Sequence, residues 1–422
     1  MGAITLTPHL ATWLIAALAT IGVILRPFSW PEAVWAVLGA GILVALGLLA
    51  PAAAVEGVLK GTDVYLFLVG MMLLSEIARK EGLFDWLAAH AVRAARGSAT
   101  RLFLLVYLVG TVVTVFLSND ACAVVLTPAV FAATKAAGVK QPLPYLFICA
   151  FIANAASFVL PISNPANLVV FAEHMPPLGR WLATFTLPSV LAIVATYAVL
   201  RLTQNARLKA ETVATDVETP ALGFGGKVAG LGIVATGAAL IAASAAGIEL
   251  GLPTFVAGLA TTLVVLLINR GGVVEVAKDV SWSVLPLVAG LFVLVEALEK
   301  TGVLQMLADL LKRTAEGDPA LAAWAGGAIV AFGSNLVNNL PAGLLAGAAV
   351  QAAHVPEKFA GAILIGVDLG PNLSVTGSLA TILWLTAIRR EGQDVSAFAF
   401  LKLGLLVMPP ALILALGALL LV

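Results

Sequence analysis

Two carboxylates, Asp120 and Asp368, lie inside apolar stretches of this 422-residue chain with no Lys or Arg at the same level. An ionisable group in such a place is costly and is usually kept for function; a proton or a sodium ion would be held by it. Four polar breaks surround these acids. Phe116-Leu-Ser-Asn-Asp-Ala-Cys-Ala-Val-Val-Leu-Thr-Pro128 carries Ser118, Asn119 and Asp120, and Gly333-Ser-Asn-Leu-Val-Asn-Asn-Leu-Pro341 carries Asn338 and Asn339. Leu160-Pro-Ile-Ser-Asn-Pro-Ala-Asn167 carries Ser163, Asn164 and Asn167, and Asp368-Leu-Gly-Pro-Asn-Leu-Ser-Val-Thr-Gly-Ser378 carries Asn372, Thr376, Gly377 and Ser378. A helix interrupted at such a place presents uncompensated N–H or C=O groups, and Asn, Ser and Thr add neutral donors and acceptors. That chemistry suits a small polar solute or a cation. One such residue is usually helix glue or a kink, but four breaks in two matched pairs make a site.

The elements that must position these residues are membrane helices. With 61% hydrophobic and 11% charged residues and a mean hydropathy of +1.05, the chain lacks the roughly one-quarter charged composition of a soluble protein. Spans are expected at roughly 8–25, 31–50, 60–78, 144–175, 181–200, 228–248, 253–269, 283–299, 358–388 and 398–420, each near the roughly 20 apolar residues needed to cross a bilayer. The first apolar run, from about His9 to Leu25, has no basic leader or small-residue cleavage site and reads as a retained helix. Gly70 and Gly290, Glu76 and Glu296, Lys80 and Lys300, and Gly82 and Gly302 are each 220 residues apart, as are the first two breaks. The chain therefore reads as a duplicated unit. Matched interruptions in two halves point to a secondary transporter, because irregular backbone survives at membrane depth only where it lines a site or cavity.

Segments 103–134 and 323–353 are about 30 residues long with a polar break near the middle, so each fits one long crossing or two half-helices forming a re-entrant hairpin, and the flanking charges decide. Arg93, Arg96 and Arg101 precede the first and Lys135 and Lys140 follow it, while Asp120 is the only acid between Asp85 and Glu173. The second has mixed flanks: Lys312, Arg313, Glu316 and Asp318 before it, Glu357 and Lys358 after. Both segments read as re-entrant hairpins, the first entering from the cytoplasm and the second from outside. Ten crossings with both termini outside then leave 17 of the 23 Lys and Arg on the cytoplasmic side, against Lys60, Arg180, Lys300, Lys312, Arg313 and Lys358 outside, as the positive-inside rule requires. The expected fold is an all-α polytopic membrane protein with two inverted repeats, about ten transmembrane crossings, two re-entrant helical hairpins and discontinuous helices. Residues 1–202 form the first half, with hairpin 103–134 and broken helix 144–175. A cytoplasmic linker at 203–227 contains Glu211, Asp216, Glu218 and Pro220, and residues 228–422 form the inverted half, with hairpin 323–353 and broken helix 358–388. Segments 84–96 and 303–314 suit interfacial amphipathic helices.

Other groups carry less. Glu76 and Glu296 stand four residues before Lys80 and Lys300, the spacing of structural helix pairs. His90 falls on an interfacial segment and reads as surface. Cys122 and Cys149 sit in apolar segments, which argues against a disulfide framework or a zinc site; Cys122 as a soft metalloid ligand is weaker than Cys122 as a small buried hydrophobe. The zero formal charge lends no support to nucleic-acid binding. No His-Glu-x-x-His occurs, and none of the four His lies near a membrane-depth carboxylate, so an intramembrane enzyme is disfavoured; a passive channel leaves the two carboxylates unexplained.

The Phe116–Pro128 motif together with Asn154-Ala-Ala-Ser-Phe-Val-Leu-Pro-Ile-Ser-Asn-Pro-Ala-Asn167, and the later Asp368–Ala380 stretch, resembles the bacterial arsenite efflux pumps of the ArsB type, within the ion transporter superfamily, over essentially the whole chain. Cys122 departs from the Thr or other small residue expected there. The resemblance implies proton-coupled export of arsenite and antimonite across the bacterial inner membrane. Protons would be carried on Asp120 and Asp368, and the proton-motive force would supply energy without a cofactor. The partners it implies are arsenite or antimonite, protons and the lipid bilayer; a soluble arsenite-stimulated ATPase on the linker and a homo-oligomer are further candidates. A sodium/proton antiporter of the same superfamily is the alternative.

Overall fold

The computed structural model describes residues 7–171, 175–215, 217 and 219–422, and among them every regular element is helical. Helix starts follow the local chemistry. Thr7, Ser98, Asp318, Ser378 and Ser396 each accept a backbone N–H at the head of a helix, satisfying donors that have no intrahelical partner. Among the described residues eight helices are long and apolar enough to cross a membrane, or nine with the pair Pro51–Lys60 and Thr62–Lys80, which bends by 47°. Two of the eight, Ala99–Phe116 and Pro319–Val337, are first arms of hairpins whose second arms begin at Asn119 and Asn339. The span expected at 31–50 is shorter than the sequence suggested: its helix is Glu32–Ala45, closed by a turn at Gly47 (φ 69°). That at 60–78 gains an unexpected preceding helix, Pro51–Lys60, opened by its proline.

Both expected discontinuous helices are broken. The first runs Leu143–Ala155, passes through a tight turn at Pro161–Ser163 and resumes at Pro165–Phe171; residues 172–174 of the expected span lie outside the described residues. The second runs Glu357–Leu369, unwinds through Gly370–Leu373 and Val375–Gly377, and resumes at Leu379–Arg390. Leu83–Ala95 and Val303–Gly317 precede the two hairpins, and His90 packs against Trp86 with ring centroids 4.1 Å apart and the planes tilted by 40°.

The 26-residue helix Leu178–Thr203, about 39 Å long at 1.5 Å per residue, serves as a ruler for the hairpins. At its far end Arg201 Nη2 donates to Thr100 Oγ1 at 3.2 Å. In the adjoining linker Glu211 accepts the N–H groups of Lys140 and Gln141 at 3.0 and 2.9 Å, and Ala214 N–H donates to Ala137 O at 2.9 Å. Both ends of the first hairpin are therefore at this end. At the near end Arg180 pairs with Glu357 at 2.6 Å. Phe359 and Ala362 there lie against Gly326 and Gly327 in the first arm of the second hairpin. The hairpins thus enter from opposite faces. Linker residues Asp216 and Glu218 lie outside the described residues.

Packing crosses the halves throughout. Thr62–Lys80 lies against Gly251–Asn269 so closely that a Cβ on Gly70 would collide with the Thr254 carbonyl, and one on Gly258 with the Gly70 carbonyl. Small residues at such crossings let backbones approach where lipid offers no hydrophobic drive. Because both hairpin ends emerge together, Ser98→Cys and Gly138→Cys, each made singly, are expected to react with an impermeant thiol reagent only from the cytoplasm. Cys122 and Cys149 are buried and add little background. Labelling of the two from opposite sides would remove the re-entrant hairpin.

Candidate functional site

The two hairpin tips share a backbone signature. Ser118 (φ 135°) and Asn338 (φ 70°) are 220 residues apart and both take positive φ without being glycine, a conformation that costs roughly 1 to 3 kcal/mol and collects at functional sites. Each side chain compensates locally: Ser118 Oγ accepts Ala121 N–H, and Asn338 Oδ1 accepts Leu340 N–H, both at 3.4 Å. Asn119 Oδ1 accepts the backbone N–H of Asp120 at 2.9 Å. Asp120 is thereby held in the first turn of the second arm, which continues through a π-helical turn at Cys122–Leu126 into Thr127–Ala136.

Behind the tips the broken helices grip one another reciprocally. Asn154, from the first, donates to Asn372 Oδ1 at 3.0 Å and to Thr381 Oγ1 at 3.3 Å, and accepts from Ser378 Oγ at 3.3 Å. Asn372 Nδ2 returns a bond to Phe151 O at 3.0 Å. The symmetry mate of the Asn154–Ser378 bond, 214 residues on, is Asp368–Asn164, where Asn164 Nδ2 donates to Asp368 Oδ1 at 2.7 Å. Each helix thus carries one polar group into the break of the other; in one direction it is an amide, in the other a carboxylate. Asp368 Oδ2 and Asn167 Oδ1 are buried without a hydrogen-bond partner among the described residues.

A cavity of about 550 Å³ lies between Thr62–Lys80, the first hairpin and Leu379–Arg390. It opens at the linker end, where Arg79 and Asp279 are about half exposed, and reaches inward to Ser118 and Asp120. Its ionisable lining is two arginines, Arg79 and Arg390, against four carboxylates, Glu76, Asp120, Asp279 and Glu391. The helix pair expected between Glu76 and Lys80 is not formed. Arg79 takes Glu76 instead, through Nη2–Oε1 at 2.5 Å and Nε–Oε2 at 2.9 Å, and reaches Asp279 at 2.8 Å. Glu76 is buried, and Arg79, one turn away, offers a two-pronged fork that a lysine lacks; Lys80 turns to Gly272 O and Glu275. The Glu296–Lys300 pair does form, at 3.1 Å, joined by Lys60 at 2.5 Å.

At the opposite face a smaller cavity of about 380 Å³ is lined by Leu291, Val295, Pro341 and Leu345 together with Trp13 and Leu298. The first four are the repeat mates of Met71, Ser75, Ala121 and Val125, which line the larger one. Among the described residues no charged side chain lines it.

Of the residues singled out from sequence, Ser118 and Asp120 face the large cavity. Asn119, Asn338 and Asn339 are buried at the tips, and Asn338 Nδ2 ties its tip to Thr376 O at 3.3 Å. Ser163 donates to Val115 O at 3.0 Å, fastening the first break to the first hairpin, and Asn167 Nδ2 serves the carbonyls of Ser157, Leu160 and Pro161. Gly377 is pressed so close to Pro371 that a Cβ would fall 2.5 Å from its Cα. Cys122 donates to Cys149 O at 3.6 Å and does not line the cavity. Sequence reasoning passed over Asn335, which donates to Gly370 O at 2.9 Å and accepts from Ser374 Oγ at 2.7 Å; its place one helical turn before Asn338 was the available signal. It also missed Arg79 and Asp279, which only tertiary packing brings to the cavity.

Opposed re-entrant hairpins, broken helices and a cavity ending at a hairpin tip define a multi-pass membrane transporter. The chain belongs to the family described as citrate transporter (CitMHS), whose sequence model matches residues 14–366. It is 28% identical over 371 residues to the arsenical pump membrane protein of Escherichia coli strain K12, covering 83% of this chain and 84% of that one. Identity is 26% over 367 residues to the arsenical pump membrane protein of Yersinia enterocolitica, with the same coverage, and 27% over 370 residues, 84% of each chain, to an uncharacterized transporter of Mycobacterium tuberculosis H37Rv. The resemblance to ArsB-type pumps read from the motifs is borne out. In fold the chain is similar to the YdaH transporter of Alcanivorax borkumensis (TM-score 0.58, 16% identity, 98% of this chain and 97% of that one). It is also similar to MtrF of Neisseria gonorrhoeae (TM-score 0.53, 14% identity, 99% and 95%). The protein is a transporter of the inner membrane and not an enzyme.

Proposed function

We propose that the chain exports arsenite and antimonite as neutral trihydroxy species, in exchange for protons, by alternating access. The observation that carries this reading is the large cavity, whose carboxylates outnumber its arginines and whose inner end is Asp120 on a strained hairpin tip. Arsenous acid is uncharged near neutral pH, so hydroxyls, amides and backbone groups can hold it without a cationic partner, whereas a carboxylate substrate would meet more like charges than opposite ones. The names of the arsenical pump relatives support the same substrate. Ser118 and Asp120 are the groups a solute entering from the cytoplasm meets at the inner end. Asp120 would carry the proton, because a carboxyl crosses the low-dielectric layer far more cheaply when neutral. Asp368 would be a second proton-linked group between the broken helices.

Everted vesicles test this directly. Acidifying the vesicle lumen, so that protons run outward, is expected to drive arsenite accumulation that collapses with a protonophore, while a sodium pulse releases no protons. Sodium-dependent proton release without arsenite uptake would reassign the chain as a sodium/proton antiporter.

A further inference from the structure

Arg79, on the helix Thr62–Lys80 that lines the large cavity, is engaged through Nε and Nη2. Glu76 takes its Nε and one Nη2 hydrogen bond in the forked geometry that a bound carboxylate would use, and Asp279, brought in by the Val273–Asp279 helix of the other half, takes Nη2 again. Across the cavity Arg390 makes no ion pair among the described residues. Two guanidinium groups therefore face one space that also holds the hydroxyl-bearing Ser75 and Ser118, a donor set suited to a polycarboxylate, with one arginine occupied by the chain's own acids. The corresponding cluster at the other face differs: Glu296 is held by Lys60 and Lys300, and the cavity there is lined by apolar groups instead.

We propose that Glu76 and Asp279 are specificity-determining residues: they occupy Arg79 internally and so exclude polycarboxylate anions from the cytoplasmic vestibule, leaving it selective for uncharged solutes. This rests on the neutral-substrate reading above and names the residues that enforce it. Specificity of this kind comes from groups that repel or pre-empt the wrong ligand as much as from those that bind the right one. Arginine is the side chain for which pre-emption matters, because its planar fork matches carboxylate geometry bidentately.

The test is a gain of function in membrane vesicles carrying the full chain, with radiolabelled citrate as the probe anion. The Glu76→Gln/Asp279→Asn double variant is expected to bind citrate at least about tenfold more than wild type, and adding Arg79→Gln is expected to abolish that gain. Asp279→Asn alone, at a half-exposed position that folding tolerates, should show a smaller gain, so loss of the double variant to misfolding does not end the test. Citrate binding at the wild-type level in both Asp279→Asn and the correctly inserted double variant would overturn the proposal, as would a gain that survives Arg79→Gln. Arsenite accumulation by wild-type vesicles, run alongside, keeps the two readings apart: its absence sinks the neutral-substrate reading, whereas its presence with no citrate gain sinks only the masking of Arg79.

Discussion

Everted vesicles carrying Asp120→Asn are expected to lose at least about tenfold of their proton-driven arsenite accumulation while still equilibrating arsenite passively. An exchanger must not let its carrier reorient when empty and deprotonated, and a carboxylate at the inner end of the vestibule is the simplest device for that. Asn keeps the size and hydrogen-bonding capacity of the acid but mimics its protonated state permanently, so reorientation continues while proton and substrate are no longer linked. A tenfold loss lies within the coupling free energies of roughly 1 to 3 kcal/mol that link two ligands on one protein. Asp368→Asn should show a weaker form of the same defect, because Asp368 is buried between the broken helices and bonded to Asn164 and does not line the vestibule. Wild-type accumulation with wild-type pH dependence in Asp120→Asn would show that Asp120 is not the coupling group and hand the role to Asp368.

The second large effect is expected at Asn154, and it is structural. Asn154→Leu removes a side chain of the first broken helix that bonds three polar groups of the second, leaving Asn372 Oδ1 without its donor in a fully buried setting and taking one partner each from Ser378 and Thr381, which keep their mutual bond at 2.8 Å. Each buried polar group left unsatisfied costs roughly 1 to 3 kcal/mol. The detergent-solubilised variant should therefore melt several degrees below wild type and reach the membrane in reduced amount. Asn154→Asp, which keeps the acceptor and reproduces the symmetry mate's chemistry at Asp368, should be milder. A melting midpoint unchanged by Asn154→Leu would show that the two breaks are held open by backbone packing and not by this amide.

Much of this architecture was legible in the chain because the bilayer leaves few options. Long apolar runs must be helices, polar interruptions within them must line or brace something, and basic residues sort to one side. Those three constraints, with the 220-residue offset, led to the hairpins, the broken helices and the inverted halves. Helix ends were placed less well: Pro51–Lys60 was missed and Glu32–Ala45 overextended, because hydropathy averages over the prolines and glycines that decide where a helix turns.

What the sequence determined by itself, then, was which residues are polar at membrane depth and how they repeat. What only the tertiary structure decided is which of them face water and which face each other. Asn154, Asn164 and Asn372 have the same composition and setting in the chain as Ser118 and Asp120, yet they are consumed in holding two broken helices together while Ser118 and Asp120 line the vestibule. Glu76 had two candidate partners one turn ahead; it takes Arg79, which also reaches Asp279 from 200 residues away, while Lys80 goes to Gly272 O and Glu275. Local spacing sets the reach of a side chain, but the partner it takes depends on burial and on the charges that distant segments bring within that reach.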